Sequence, residues 1–200
     1  MKKHTIAAVA LAAALGLTGC SAGGSTTGTG TQAEVESEPT PTETKQTPVE
    51  NIDKTWTFDY KGATGTFNLG DEPAGPEIDA VEAARATVDG KQYTLVPVTL
   101  DNTNGTESLN MYGLTVITKD GQQLDSIDLS DVFADWRDTA GDDTDKVYDL
   151  TEASNKYALF DLQPGAKGTA LVAFDEPITS AWRVTVAPSG GFDQVEATAS

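Results

Sequence analysis

The side chains that most often carry enzyme chemistry are scarce in this chain. It has one histidine, His4, and one cysteine, Cys20, among 200 residues. A Ser-His-Asp triad needs a histidine beside the nucleophile, and a Cys-His pair needs both side chains together. Zinc sites draw on the same residue types, and no Gly-rich phosphate loop joins a strand pattern to a helix pattern. The composition therefore predicts a protein that is not an enzyme and needs no cofactor.

Carboxylates are the abundant reactive group, with 31 Asp and Glu residues. Two carboxylates can hydrolyse a glycosidic bond when they flank it. Nearly all of those in this chain fall in predicted turns or on polar faces, where a solvated surface charge is the simpler interpretation. With only 13 Lys and Arg, the net charge is −18. That charge argues against a nucleic-acid partner, which needs a basic footprint, and against direct adhesion to anionic lipid.

The carboxylates are densest between residues 138 and 152. Calcium takes six to eight oxygen ligands, and aspartates clustered in a loop can supply several of them. The candidate metal ligands are Asp142, Asp143, Asp145 and Asp149. An EF-hand loop requires a glycine at its sixth position. The sixth position counted from Asp143 is not a glycine. The segment is predicted to be an acidic loop, which is either a solvated surface or a site for calcium or a small molecule.

Tryptophan supplies a second kind of candidate site. Aromatic side chains dominate protein interfaces, and they also fill hydrophobic cores. Strand periodicity places Trp56 and Trp182 in the core. Trp136 lies beside Asp135 and Arg137. The sequence therefore predicts that Trp136 is partly exposed, and it is the candidate interface residue.

The first twenty residues are predicted to contain an export signal. Lys2 and Lys3 precede an apolar run from Ile6 to Leu17, which is shorter than a membrane span and fits the core of a signal peptide. The run ends in Leu17-Thr18-Gly19-Cys20. This stretch resembles the signal of bacterial lipoproteins, whose lipobox consists of an aliphatic residue, two small residues and an invariant cysteine.

The resemblance implies how this segment is processed. In that family the cysteine sulfur receives a diacylglycerol, and a peptidase then cuts just before the cysteine. Residues 1–19 are expected to be a removed signal peptide, and Cys20 the lipidated N-terminus. Because two acyl chains hold a protein more firmly than one, the product is expected to be anchored to the extracytoplasmic face of the bacterial cell membrane without spanning it. It would have no histidine and a net charge of −20.

The rest of the chain divides by composition. Residues 20–54 are rich in Ser, Thr, Pro and Glu, so they bury too little apolar area to fold and are predicted to be a disordered linker. Residues 55–188 contain about seven short strand patterns separated by turn signals. Helices are predicted over 78–88 and over 128–137, the second with Ser130 as its N-cap. Residues 189–200 are predicted to be a flexible tail.

These elements predict an all-β domain, an antiparallel β-sandwich with one or two short helical insertions. The turn-and-strand motifs are Asp101-Asn102-Thr103-Asn104-Gly105-Thr106-Glu107, Asn110-Met111-Tyr112, Asp120-Gly121, Leu162-Gln163-Pro164-Gly165 and Ala170-Leu171-Val172-Ala173-Phe174, with Ala83-Ala84-Arg85 in the preceding helix. Together they resemble the immunoglobulin-like domain of actinobacterial lipoproteins that are related to a secreted mycobacterial immunoprotective antigen. The resemblance covers most of 55–187. It implies an immunoglobulin-like fold and a surface location, and it implies no reaction.

Two functions follow from these expectations. The first is a non-enzymatic, membrane-anchored lipoprotein that displays a β-sandwich on a flexible stalk and binds an extracellular protein or a cell-wall component. The alternative is a lipoprotein that binds calcium or a small molecule with its acidic segment 138–152. The residues do not identify the partner.

Overall fold

A computed structural model of the chain describes residues 48–190 and 192–200. The strands are β1 (Thr55–Tyr60), β2 (Ala63–Asn68), β3 (Thr94–Asp101), β4 (Gly113–Ile117), β5 (Gln123–Asp125), β6 (Lys167–Phe174), β7 (Arg183–Ser189) and β8 (Asp193–Ala199). The helices are α1 (Pro76–Ala86), α2 (Leu129–Ala140) and α3 (Thr144–Tyr157). None of the described helices is long and apolar enough to cross a membrane. The predicted signal peptide, Cys20 and most of the predicted linker lie outside the described residues.

The eight strands form one antiparallel sheet in the order β5-β4-β7-β8-β1-β2-β3-β6. The sheet curls until its two edges approach each other, giving a nearly closed sandwich or barrel. Two isolated backbone bridges cross the remaining gap, one between Leu109 and Leu162 and one between Ile127 and Ala173 of β6. The prediction of a mostly antiparallel β domain is therefore confirmed.

The inside of the barrel is filled by alternate residues of the strands. In β1, Trp56, Phe58 and Tyr60 point inward, as their alternation predicts. Phe58 lies against Gly65 of β2, where even a Cβ atom would be about 2.2 Å from the ring. A glycine is needed at that position because the aromatic ring occupies the place of its side chain.

A second hydrophobic core lies outside the barrel, between the sheet and the three helices. Leu95 of β3 and Leu171 and Ala173 of β6 face outward into it. The helices supply the opposite side of this core, and their largest contribution is Trp136 of α2. β6 is therefore buried on both faces, which explains its continuous apolar run from Ala170 to Phe174.

The helical insertions are more extensive than predicted. There are three described helices, of which α1 and α2 match the two predicted segments within a few residues. α2 begins at Leu129 and is capped by Asp128, whose Oδ1 accepts a hydrogen bond from the Ser130 amide at 2.8 Å, so the prediction of Ser130 as N-cap is wrong.

The predicted acidic loop 138–152 is also wrong, because most of this segment forms the end of α2 and the first turns of α3. The apolar side of α3 carries Val147, Leu150 and Ala153 at helical spacing, and Leu150 is fully buried in the second core. The carboxylates occupy the solvent side of an amphipathic pair of helices.

The predicted flexible tail is an interior strand. β8 pairs with β7 on one side and with β1 on the other, so it lies in the middle of the sheet. Its inward positions are Val195, Ala197 and Ala199, of which Ala197 is buried. The alternation is present in the sequence, but its small side chains give a weak strand signal.

The predicted boundary between linker and domain lies too late in the chain. The Glu50 Oε1 atom accepts hydrogen bonds from the Ala181 amide at 2.9 Å and from the Asn51 amide at 3.0 Å. The Asn51 amide also donates to the Ala181 carbonyl, and Ile52 packs on the inner core. Residues 50–52 are therefore part of the folded domain.

The position of β8 predicts a contrast between two neighbouring substitutions. Ala197→Asp places an unpaired carboxylate in the inner core, and we expect it to lower the free energy of unfolding by about 3 kcal/mol or more. Thr198→Asp adds the same group on the exposed side and is expected to cost less than about 1 kcal/mol. Urea unfolding followed by circular dichroism measures both, and equal small effects would mean that residues 193–199 are not a buried strand.

Candidate functional site

The strand directions give the barrel two distinct ends. At the proximal end the chain enters the fold through residues 48–54, which contact the segment 175–182. At the distal end lie the β1–β2 turn, the loop 102–112, the turn 162–166 and the β7–β8 turn. Strands of six to eight residues separate the two ends by roughly 20 Å.

Asn102 organises the distal loops. Its side chain is fully buried, and Nδ2 donates to the carbonyls of Glu107 at 2.9 Å and Leu162 at 3.0 Å. Its backbone carbonyl accepts from the amides of Gly105 and Gly165. The Oδ1 atom has no hydrogen-bond partner among the described residues and sits so close to Gly105 that a Cβ there would lie 1.7 Å away. One side chain thus holds two loops in a fixed relation.

An ionic network ties the neighbouring turns together. Lys61 Nζ lies 2.8 Å from Glu107 Oε2 and 3.1 Å from Asp193 Oδ2, and the Tyr60 hydroxyl donates to Asp193 Oδ2 at 2.8 Å. The hydrogen bond with Glu107 raises the pKa of Lys61, and the bonds from Tyr60 and then Lys61 lower the pKa of Asp193. The three charged side chains are about half exposed, so their ion pairs add little to the free energy of unfolding. Together with the Tyr60 hydrogen bond, they join the β7–β8 turn to the β1–β2 turn.

A second ion pair closes the base of the loop 102–112. Lys167 Nζ lies 2.6 Å from Asp101 Oδ2, and this contact together with hydrogen bonds from Thr103 lowers the pKa of Asp101 to about 2. Both lysines of the distal end are therefore already paired with carboxylates.

The principal candidate site is a groove at the seam where the barrel does not close. It has a volume of about 250 Å³ and lies between the segments 110–112, 127–129 and 158–160 and the middle of β6. We call it the seam groove. Its apolar lining includes Met111, Tyr112, Ile127, Leu159, Phe160 and Leu171. Asn110 and Asp128 are its polar members.

The backbone at the edge of the seam groove is strained. Met111 has φ of 46°, a left-handed conformation that costs a non-glycine residue roughly 1–2 kcal/mol. The amides of Asn110 and Met111 both donate to the Pro188 carbonyl at 3.1 Å, which holds the strained turn in place. The Met111 side chain is buried, whereas the next residue, Tyr112, faces solvent. Strain fixed in this way is typical of binding sites.

Large apolar side chains are exposed around this end of the molecule. Tyr112 and Leu159, which border the seam groove, are each 65% exposed. Phe192 in the β7–β8 turn is 97% exposed, and this turn is joined to Asn110 by a hydrogen bond from the Gly190 amide at 3.3 Å. Exposed apolar residues concentrated in one region mark an interaction surface better than scattered ones do.

A second cleft, of about 300 Å³, opens between β2 and β3 near the proximal end. Thr66 pairs with Thr99 and Thr64 with Asp101, so the next matching pair would be Asn68 with Pro97. Proline has no amide hydrogen to donate, and the pairing ends there. Threonines and the carboxylates of Asp71 and Glu72 line much of this cleft, and none of the large exposed apolar side chains borders it. We therefore regard it as a consequence of Pro97.

The prediction that Trp136 is partly exposed, and therefore a candidate interface residue, is wrong. Its side chain is 1% exposed, packs edge-on against Phe133 at 5.1 Å between ring centroids, and donates from Nε1 to the Lys91 carbonyl at 2.8 Å. The charged neighbours in sequence point away from it because α2 is amphipathic. Trp56 is buried as predicted, and Trp182 is only partly buried, beneath Arg183.

The structure does not bring the candidate metal ligands together. Asp142 and Asp143 lie between α2 and α3, and Asp145 and Asp149 lie on successive turns of α3. Asp143 caps α3 by accepting a hydrogen bond from the Lys146 amide at 3.3 Å, and its carboxylate pairs with the Lys146 ammonium at 3.6 Å. In the described part of the chain, no three Asp, Glu, His or Cys residues are arranged to hold a metal ion.

The residues of the seam groove were not identified from the sequence. Tyr112 was noted within a turn motif, but nothing in the pattern showed that it faces solvent. Leu159 and Phe160 lie between α3 and β6, in a segment where no sequence motif indicates a site. Because the groove joins four segments that are distant in sequence, only the tertiary arrangement reveals it. Searches among protein-family models, curated proteins and solved structures found no match to the chain.

The role of Asn102 in holding the distal loops predicts a large effect of a nearly isosteric change. Asn102→Asp removes two buried donors and turns a carboxylate toward the carbonyls of Glu107 and Leu162, so we expect a loss of about 3 kcal/mol or more in the free energy of unfolding. Asn104→Asp, an exposed change in the same loop, is expected to cost within about 0.5 kcal/mol. Chemical denaturation measures the free energy of unfolding of the two variants, and equal values would show that Asn102 does not hold the distal loops together.

Proposed function

We propose that this chain is a non-enzymatic bacterial lipoprotein, anchored through lipid on Cys20 at the extracytoplasmic face of the cell membrane. Its folded domain binds an extracellular protein or a cell-envelope component. We include in this proposal the finer fold assignment, an immunoglobulin-like sandwich, which rests on the resemblance of its turn and strand motifs. The role of the domain is contact with a partner, and nucleic acid is not among the expected partners.

The observation that carries the proposal is that the chain enters the domain at one end and the candidate binding surface lies toward the other. The chain enters the fold at the proximal end, and the seam groove with Tyr112, Leu159 and Phe192 lies toward the distal end. A domain tethered by its proximal end would present the distal loops away from the membrane. Recognition surfaces on β-sandwiches are commonly built from the loops at one end, although this is an analogy of fold.

The anchor is tested by metabolic labelling with a palmitate-type fatty acid in the native host. The wild-type protein is expected to incorporate the label, and Cys20→Ala is expected to lose it completely, because the thiol is the only acceptor of this kind in the chain. Ser21→Ala is the matched control and should be labelled normally. Label retained by Cys20→Ala, or absent from the wild-type protein, would contradict the anchor.

The binding surface is tested by photo-crosslinking in intact cells. A photoreactive phenylalanine in place of Tyr112, at the distal end, is expected to form covalent adducts with an envelope component. The same probe in place of Val49, which is equally exposed at the proximal end, is expected to form few. Equal adduct yields at the two positions, or adducts only at position 49, would argue against a distal binding surface.

A further inference from the structure

We propose that the seam groove receives one bulky apolar side chain from a positively charged segment of a partner protein. This inference deepens the proposed function and rests on it. The seam groove supplies the apolar contact, and the carboxylates around it select the charge of the flanking residues.

The size of the groove limits what it can hold. Pockets for drug-sized ligands and cofactors are usually about 300–1,000 Å³, and the seam groove is about 250 Å³. Most residues that line it have apolar or aromatic side chains, polar atoms make up about half of its exposed surface, and Tyr112 and Leu159 at its border are mostly exposed. A single Phe, Leu or Trp side chain inserted there would cover surface that now faces water. Protein interfaces commonly use such an anchor residue at their centre.

The electrostatic surroundings define the neighbours of that anchor. Asp128 lines the seam groove, and Asp161 follows Phe160 in the chain and is exposed. No lysine or arginine lines the groove. The two lysines of the distal end, Lys61 and Lys167, already pair with Glu107, Asp193 and Asp101. Asp128 and Asp161 form no ion pair among the described residues, and Lys156, which precedes the groove lining in the chain, lies over the Tyr157 ring. Residues beside the anchor should therefore be Lys or Arg.

Other occupants fit the same surroundings less well. A second copy of the chain carries a net charge of −18, so like-charge repulsion opposes self-association. The segment between Cys20 and the folded domain contains Glu34, Glu36 and Glu38, which have the same sign as the groove border. An anionic membrane surface is repelled for the same reason.

The proposal is tested with three peptide libraries and the detergent-solubilised full-length protein. Each peptide has one central Phe, Leu or Trp, flanked on both sides by lysines, by serines or by glutamates. We expect the lysine-flanked peptides to bind best, as measured by fluorescence anisotropy, with affinity that falls as salt rises. Tyr112→Ser and Leu159→Ser should each weaken this binding about tenfold.

Two controls separate the groove from the general acidity of the protein. Tyr148→Ser removes an aromatic ring of α3 that is 64% exposed but does not line the groove, and binding should stay unchanged. Asp161→Asn should weaken binding of the lysine-flanked peptides and leave the serine-flanked ones unaffected. Equal binding of all three libraries, or equal effects of Tyr112→Ser and Tyr148→Ser, would overturn the inference.

The remaining outcomes identify which proposal fails. Self-association of the wild-type protein in light scattering, lost in Tyr112→Ser, would assign the groove to a second copy and overturn the inference. Crosslinking at position 112 without a preference for lysine-flanked peptides would support a distal binding surface and contradict only the inference of a positively charged partner. Absence of crosslinking at position 112 would contradict both the distal binding surface and the inference of a positively charged partner.

Discussion

The architecture depends on how the two edges of the sheet are closed. A continuous barrel needs a run of backbone pairs between its first and last strands. Here one edge strand, β5, has only three residues, so it offers few backbone groups for pairing with β6. In the described part of the chain, isolated backbone bridges at Leu109 and at Ile127 cross the gap. The wall stays open between them, and the seam groove is the result.

The helical layer follows from the same edge. Because β6 is a terminal strand with apolar residues on both faces, its outer face needs a cover as much as its inner face does. α1 and α2 lie against β6, α3 packs on both of them, and Trp136 fills space between the helices and the sheet. Gly90 leaves room for the indole, since a Cβ there would lie about 2.4 Å from Trp136 Cδ1. The return of the chain from α3 to β6 then brings Leu159 and Phe160 to the groove.

Local patterns determined much of what could be predicted from the sequence. Alternation in β1 and helical spacing in α1 and α2 identified those elements because each pattern is complete within one segment. Two errors arose where polar composition outweighed periodicity. The aspartates of 138–152 suggested a loop despite the helical spacing of Val147 and Leu150, and the small residues of β8 suggested a tail.

The candidate site was beyond the reach of such patterns. Its lining comes from segments near residues 111, 128, 159 and 171, which meet only when the sheet has curled. The exposure of Tyr112 depends on the left-handed turn at Met111, and that conformation depends in turn on Pro188, far along the chain. For Trp136, the charged neighbours in sequence suggested exposure, but they lie on the other side of the amphipathic helix α2 and the Trp136 side chain is buried.

The acidity of the chain and the exposed apolar residues have complementary roles in the proposed function. A strong negative charge keeps copies apart, so an apolar groove can stay open without causing self-association. The same charge raises the rate of encounter with a positively charged partner, whereas the apolar contact governs how slowly the complex separates. Neither feature alone selects a partner well. In the proposed function, their combination at one end of the domain favours a partner that carries both an apolar anchor and positive charge.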